Sequence, residues 1–379
     1  MKIIFSHCTQ SYPIKYSASN TKADFLARGL YLSGASITFI NSILGSEVEN
    51  NRCLIHNNFR CYLFSKKKNI LLRFIINLFT LIKVLQREYK HNDINILFIG
   101  GIFPINITQM IFAKIIGYKL AYLTQEWNVA LNHKRFIHKL DSIISTKFYG
   151  RCVDMIFPIS HFLWEKNKVF NKPMHIIPIL SDFNTVKENN YDNFHHFCYC
   201  ASAEYYETLK LIIDAYTLFI ENGGEEKLIL ILYGNTESLS KAKQLIKSSI
   251  HNEMIEIKEQ ISNDELEHIY QTSLGLLIPL KPNNVQDIAR FSQKIAEYLA
   301  SKRPIITCNV GEIPYYFNNK NVLISDYTAK SFSDSMIFLA THKKRSIEIG
   351  ENGYKIGKKY FDYTTNGKEV FNFIKTNNI

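Results

Sequence analysis

The chain has no run of about 18 uncharged apolar residues, so no segment reads as a membrane-spanning helix. It has no cysteine framework either. Seven cysteines are scattered over 379 residues, and Cys198 and Cys200 are the only close pair. An odd count without framework spacing excludes a disulfide-stapled scaffold and fits reduced thiols. No second His or Cys pair accompanies Cys198-x-Cys200, so the pair lacks zinc-site spacing. On a strand both thiols point to one face, which reads as core packing. No recognised nucleic-acid module is present and the bases are spread along the chain, which argues against nucleic acid as a partner. Met1-Lys-Ile-Ile-Phe-Ser6 reads as a strand start, too short for the apolar stretch of a secretion signal. The expectation from these absences is a cytoplasmic globular protein, and its length suits two domains.

Acidic residues are scarce in one half only. Residues 1–182 hold 23 Lys and Arg against 10 Asp and Glu, a balance of +13. Residues 183–379 hold 22 against 24, a balance of −2. The first half therefore expects an anionic partner. A bilayer surface or a lipid-linked phosphate fits that charge. Lys66-Lys67-Lys68 precedes the apolar stretch from Ile70 to Arg87, which bases flank and interrupt. Such a segment is either an interfacial helix or a core helix with a basic loop before it.

Strands and helices alternate along both halves. The first half reads as strands at Lys2–Ser6, Ala35–Asn41, Ile94–Ile99, Leu120–Thr124 and Met155–Pro158. Its helices are Asn20–Ser33, Ile70–Tyr89, Ile105–Ile116 and a long stretch Phe136–Cys152. Gly34 follows the first helix as a C′ residue, and Ser160 caps another. The second half reads as strands near 196–201, 228–233, 254–257, 274–279, 303–308 and 321–324. Ser262-Asn-Asp-Glu265 is a capping box, and Tyr360–Asn377 is a last helix. This alternation predicts an α/β fold with parallel sheets: an N-terminal Rossmann-like domain over 1–182, a linker over 183–195, and a second Rossmann-like domain over 196–359.

The most informative stretch is Arg290-Phe-Ser-Gln-Lys294-Ile-Ala-Glu297-Tyr-Leu-Ala-Ser-Lys-Arg-Pro304-Ile-Ile. It reads as a loop over Lys281–Phe291, a helix from about Ser292 to Ala300, then a buried strand. A helix N-terminus attracts phosphate through its free N–H groups and dipole, and Lys294 adds a full charge beside it. Glu297 lies roughly 7–8 Å along the axis from Ser292, which suits a ribose beyond a diphosphate. A carboxylate accepts hydrogen bonds from both ribose hydroxyls. The alternative is that Lys294 and Glu297, three residues apart, form a solvated salt bridge.

Lys294-Ile-Ala-Glu297-Tyr298-Leu299-Ala300-Ser-Lys-Arg-Pro304-Ile305-Ile306 resembles the nucleotide-sugar site of GT-B-fold retaining glycosyltransferases of the family 4 type. The resemblance extends over most of residues 195–360; the first half resembles the family only in its order of elements. It implies two Rossmann-like domains with parallel sheets facing an interdomain cleft, and a C-terminal helix (about 360–379) crossing back onto the N-terminal domain. By resemblance Glu297 holds the ribose and Lys294 the diphosphate, Lys258 and Gln260 flank the base through backbone atoms, and Gly234 is a turn glycine near the nucleotide. Ser292 and Arg290 complete the donor site. No metal or other cofactor is implied. There are departures. The earlier Glu that touches the donor sugar in many members is Ala289 here. The loop after strand 196–201 has no base until Lys210, and the long loop Cys8–Ser19 has no glycine.

Other candidates are weaker. Gln125-Glu126-Trp127 ends a strand on its carboxyl side. Glu126 either orients an acceptor hydroxyl or the anomeric centre, or serves as the N-terminal charge of the next helix. His133 and His138 are candidates of the same kind. Gly100-Gly101 allows close backbone approach or is simply a turn. The reading that joins these is a glycosyltransferase with Lys294, Arg290 and Glu126 as candidate catalytic groups. It takes a nucleoside-diphosphate sugar as donor and a lipid-linked or polysaccharide acceptor, in surface-polysaccharide synthesis, peripheral on the inner face of the membrane. The rivals are a nucleotide-sugar epimerase of the same architecture and a non-catalytic sugar-nucleotide-binding scaffold.

Overall fold

A computed structural model describes the chain outside residues 7–11, 15–17, 45–47, 67–68, 101–104, 129–135, 185–194 and 378–379. The chain divides into two compact units. The first comprises residues 1–180, 289–291 and 362–379; the second comprises 181–288 and 292–361.

The first unit is built on a seven-stranded sheet. Its strands are β1 (Lys2–Phe5), β2 (Ser36–Ile40), β3 (Arg52–His56), β4 (Phe59–Leu63), β5 (Asn95–Ile99), β6 (Lys119–Thr124) and β7 (Met155–Pro158), in the order β3-β4-β2-β1-β5-β6-β7. All pairs are parallel except β3 with β4, which is antiparallel. β1, β5 and β7 are buried throughout, as strands covered by helices on both faces must be. The helices of this stretch are α1 (Ala18–Leu32), α2 (Ile70–Glu88), α3 (Ile105–Ile116), α4 (Phe136–Ile144), α5 (Gly150–Cys152) and α6 (His161–Asn167). The sequence reading left out one hairpin. The hairpin β3–β4 turns on Asn57 and Asn58, both at positive φ, which asparagine tolerates better than most residues. The expected long helical stretch over Phe136–Cys152 is present, as α4, a π-helical turn at Ser145–Tyr149 and α5 in unbroken succession. Ser160 caps α6 by accepting from the Leu163 N–H at 3.1 Å.

The second unit holds β8 (His196–Ser202), β9 (Lys227–Tyr233), β10 (Ile255–Lys258), β11 (Ser273–Ile278), β12 (Ile305–Thr307) and β13 (Leu323–Ile324), all parallel, in the order β10-β9-β8-β11-β12-β13. The helices are α7 (Tyr206–Glu221), α8 (Thr236–Lys247), α9 (Asn263–Gln271), α10 (Val285–Ala289), α11 (Gln293–Ala300), α12 (Ile313–Tyr316), α13 (Ala329–Thr341) and α14 (Lys343–Tyr360). Ser262 caps α9 by accepting from the Glu265 N–H at 3.1 Å. This is a doubly wound sheet whose strand order reverses between β8 and β11, and ligands of such sheets gather at the strand carboxyl ends beside that switch point.

The expected last helix over Tyr360–Asn377 is present and starts three residues later than expected. α14 ends at Tyr360, Asp362 caps a new start, and α15 (Tyr363–Thr376) follows. α15 packs on α1 within the first unit. The crossing depends on two glycines: a Cβ on Gly29 would lie 2.1 Å from the Tyr363 carbonyl oxygen, and one on Gly367 would lie 2.2 Å from the Gly29 carbonyl carbon. The family implication of a C-terminal helix crossing back corresponds to this contact.

Candidate functional site

β8 and β11 carry the switch point of the second sheet, and their carboxyl ends lead into residues 203–205 and 279–284. Lys281 spans the two loops by an ion pair with Glu207 at 2.6 Å. Its backbone N–H donates to Asp287 at 3.0 Å, so the segment after β11 is tied down at its start. The sequence expectation of a continuous loop over Lys281–Phe291 is corrected here, because Val285–Ala289 forms the short helix α10. Gly311, at φ +60°, lets the backbone pass against it, since a Cβ there would lie 2.6 Å from the Asp287 carbonyl oxygen.

α11 starts at Gln293, with Ser292 as an N-cap in extended backbone whose side chain makes no capping hydrogen bond. Ile295, Ala296, Tyr298 and Leu299 bury one face of the helix. The other face carries Lys294 and Glu297. Their side chains pair at 2.8 Å and are 26% and 22% exposed. The Lys294 ammonium also donates to the Tyr270 hydroxyl at 3.2 Å and lies 5.8 Å from that ring's centroid. Tyr270 stacks edge-on against Tyr298 at 4.8 Å, and the Tyr298 hydroxyl accepts from the Cys200 N–H at 3.2 Å. These contacts fix α11 to the end of β8. Burial pulls the Lys294 ammonium down, but the charge of Glu297 and its hydrogen bond outweigh it, and the pKa stands above the ordinary lysine range. The amine is a cation at any physiological pH. Burial pushes the Cys200 thiol up against the opposing pull of Lys294, so this cysteine stays a neutral wall of the site. Cys198 and Cys200 are both buried and carry no metal spacing. Among the described residues no group of three or more His, Cys, Asp or Glu is gathered that could hold a metal ion.

The remaining candidates fall around this pair or away from it. Gly234 follows β9; a Cβ there would lie 2.5 Å from the Ser238 hydroxyl, so the first turn of α8 closes on it. Tyr233, just before it, lies within electrostatic reach of Lys294. Lys258 ends β10, and its side chain pairs with Glu256 at 3.0 Å and Glu265 at 3.3 Å. Gln260 adopts φ +54°, a turn conformation that presents backbone groups. Arg290 is partly buried and groups with the first unit rather than with Lys294. Ala289 is fully buried and its carbonyl accepts the Ser160 hydroxyl. Glu126 is exposed just beyond β6; Trp127 beside it packs edge-on against Phe162 at 6.0 Å. His138 lies on α4. His133, Gly101 and most of the Cys8–Ser19 loop lie outside the described residues. Sequence reasoning missed Tyr270, Tyr233 and Tyr298 as the bed of Lys294. Tyr270 sits 24 residues before Lys294, and no spacing rule links them.

Residues 181–356 match the family described as Glycosyl transferases group 1. No curated protein matches the chain in sequence. Among solved structures, the chain is similar to HepE from Anabaena in complex with UDP and glucose: 12% identity, TM-score 0.75, covering 99% of this chain and 100% of that one. Sucrose-phosphate synthase from Thermosynechococcus elongatus is similar at 9% identity and TM-score 0.72, with 99% and 98% covered. A protein from Listeria monocytogenes described as a UDP-N-acetylglucosamine 2-epimerase is similar at 10% identity and TM-score 0.61, with 99% and 96% covered. The likeness to these solved structures shows a GT-B fold, and the match over residues 181–356 covers the second sheet and the Lys294–Glu297 pair.

Proposed function

We propose that the protein is a glycosyltransferase that moves a sugar, with retention at the anomeric carbon, from a nucleoside-diphosphate sugar to a lipid-linked or glycan acceptor in surface-polysaccharide synthesis. The observation that carries the reading is the half-buried Lys294–Glu297 pair at the carboxyl ends of the strands beside the switch point, inside the segment that matches the family. Glu297 accepts from the ribose hydroxyls. Lys294, already a cation, faces the diphosphate, and the start of α11 adds its N–H groups and dipole. The bond between the anomeric carbon and the diphosphate oxygen breaks, and its electron pair leaves with the diphosphate. The acceptor hydroxyl oxygen bonds to that carbon and loses its proton. Charge grows on the leaving oxygens, so the cations bind the transition state more tightly than the donor. Arg290 acts in the same direction, and Glu126 is the carboxylate proposed to orient the acceptor. No metal is invoked. The N-terminal half, at +13 over residues 1–182, works against an anionic membrane surface on the cytoplasmic side.

A thermal-shift panel of nucleoside diphosphates and their sugars tests the donor site. Release of nucleoside diphosphate in the presence of membrane lipid extract tests transfer. An epimerase, the activity in the name of the Listeria relative, would convert the nucleotide sugar without an acceptor. A binding subunit, suggested by Ala289, would shift thermally and release nothing.

A further inference from the structure

α2 is apolar on two opposite sides. Asn77, Leu81, Val84, Leu85 and Glu88 are its buried residues. At about 100° per residue, Leu71, Leu72, Ile75 and Phe79 lie on the other side, and they are 67, 51, 42 and 63% exposed. A surface helix in water turns charged or polar residues outward; here the outward stripe of the N-terminal half is hydrocarbon. α3 packs beside α2 and adds Ile111 and Ile115, at i and i+4, 52 and 74% exposed. Among the described residues no element covers this surface. A clustered apolar patch of this kind marks an interaction site.

The charge around the patch selects the partner. Residues 51–90 contain nine Lys and Arg and one acid, Glu88. Glu88 is buried and engaged by Lys2 and Arg60, so nothing acidic in that stretch faces outward. Three of the bases, Lys66 to Lys68, stand immediately before the Asn69 cap of α2. An outward apolar stripe with bases at its margin is the composition of a helix lying in the interface of an anionic bilayer. α2 is not a spanning segment: among the described residues no helix is long and apolar enough to cross a membrane.

We infer that the outward face of α2, extended by α3, inserts into the headgroup–acyl boundary of an anionic membrane. Leu71, Ile75 and Phe79 enter the apolar layer, and the basic run that precedes α2 in the sequence supplies the attraction to lipid phosphates. This rests on the proposed function only for its purpose, which is to hold the enzyme at a lipid-linked acceptor.

The test is co-sedimentation of the full chain with phosphatidylcholine vesicles and with vesicles that also contain phosphatidylglycerol. The parent should bind the anionic vesicles and not the neutral ones, and the binding should weaken steeply with salt. Leu71→Ser with Ile75→Ser and Phe79→Ser should cut binding at least about tenfold, because three large apolar groups no longer enter the lipid. Lys66→Ser, Lys67→Ser and Lys68→Ser should cut it by about fivefold for each base removed. Both sets change residues outside the donor site, so the unfolding midpoint and any nucleotide-dependent thermal shift should be unchanged. A Phe79→Trp variant should show blue-shifted emission on anionic vesicles and quenching by brominated acyl chains. Equal binding to neutral vesicles, full binding by the apolar triple variant, or a concentration-dependent dimer that this variant abolishes would overturn the inference. A parent that inserts by these measures yet shows no nucleotide response would instead defeat the transferase reading and leave the membrane face standing.

Discussion

Each unit contains a Lys–Glu pair, and the two pairs differ in what surrounds them. In the first unit the Lys2 ammonium meets the Glu88 carboxylate with their side chains 3% and 2% exposed. Thr38 accepts from Lys2 at 2.7 Å, Tyr62 donates to Glu88 at 2.9 Å, and Arg60 donates at 3.0 Å. With the Thr38 hydroxyl, which also donates to it at 3.1 Å, Glu88 accepts from four side chains. In the second unit Lys294 and Glu297 keep about a quarter of their side chains exposed, and their one further neighbour by hydrogen bond is Tyr270. The first pair sits at the end of α2 and the start of β1, at the amino-end side of the sheet. The second sits at the strand carboxyl ends, where α/β ligands bind. A closed pair holds strands and helix together; an open one at that edge has donors and acceptors left for a ligand.

The largest effect should come from opening the closed pair. Glu88→Ala leaves Lys2 buried without its counter-charge, and removing one partner of a buried pair costs about 3–5 kcal/mol. Denaturant unfolding should show this loss, while any nucleotide affinity of the still-folded fraction stays at the parent value. The acid side gives a second handle. Burial opposes the Glu88 charge, but the hydrogen bond and charge of Lys2, with those of Tyr62 and Arg60, hold its pKa down at about 2. Its folded pKa lies below its ordinary value of 4.5. The stabilisation is therefore complete above about pH 4.5 and is lost as pH falls toward 2. Glu88→Gln should flatten stability across that window. An unchanged acid limb would remove Glu88 as its cause.

How much of this was legible in the sequence depended on whether the signal was local. The Ser262 cap, the buried parallel strands and the helix over Gln293–Ala300 all announce themselves within a few residues. The Lys2–Glu88 pair joins residues 86 apart and leaves no trace in spacing. The β3–β4 hairpin was hidden because β3 is largely exposed and carries Arg52 and His56, so its alternation is weak. The start of the last helix was local in the same way: Asp362 accepts from the Thr364 and Thr365 N–H groups, an Asp cap within three residues of the expected start. For α2 the sequence showed hydrocarbon on nearly every side. Which side faced the core was a matter of tertiary packing: the core reading describes its buried face, and the opposite face is apolar and exposed.

Opening the second pair should leave the fold and change the chemistry. Lys294→Ala removes a charge that matters most as the diphosphate departs, and losing one such group typically costs roughly 10²–10³ in kcat. The donor KM should rise less than kcat falls. Arg290→Ala should act in the same direction with a smaller loss, since Arg290 precedes α11 and groups with the other unit. Steady-state release of nucleoside diphosphate measures both. Parent-like turnover of Lys294→Ala would make this pair as purely structural as Lys2 and Glu88.

The smallest predicted change is the most discriminating. Glu297→Gln keeps the side chain's shape and its oxygen acceptor but removes the negative charge. A hydrogen bond to a charged group is worth roughly 1.5–3 kcal/mol against about 1 for a neutral one. If Glu297 accepts from ribose hydroxyls, nucleoside-diphosphate affinity should fall about tenfold. Stability should fall by much less, because the pair is partly solvated and Tyr270 still receives the Lys294 ammonium. The competing expectation has the opposite sign. If Glu297 does no more than occupy Lys294, neutralising it frees the ammonium for phosphate and affinity should rise. Titration of a nucleoside diphosphate against a nucleoside separates the two. A ribose contact weakens both ligands by a similar factor, since both carry the sugar. Release of Lys294 strengthens the diphosphate alone, and that outcome would move Glu297 from ribose acceptor to counter-ion.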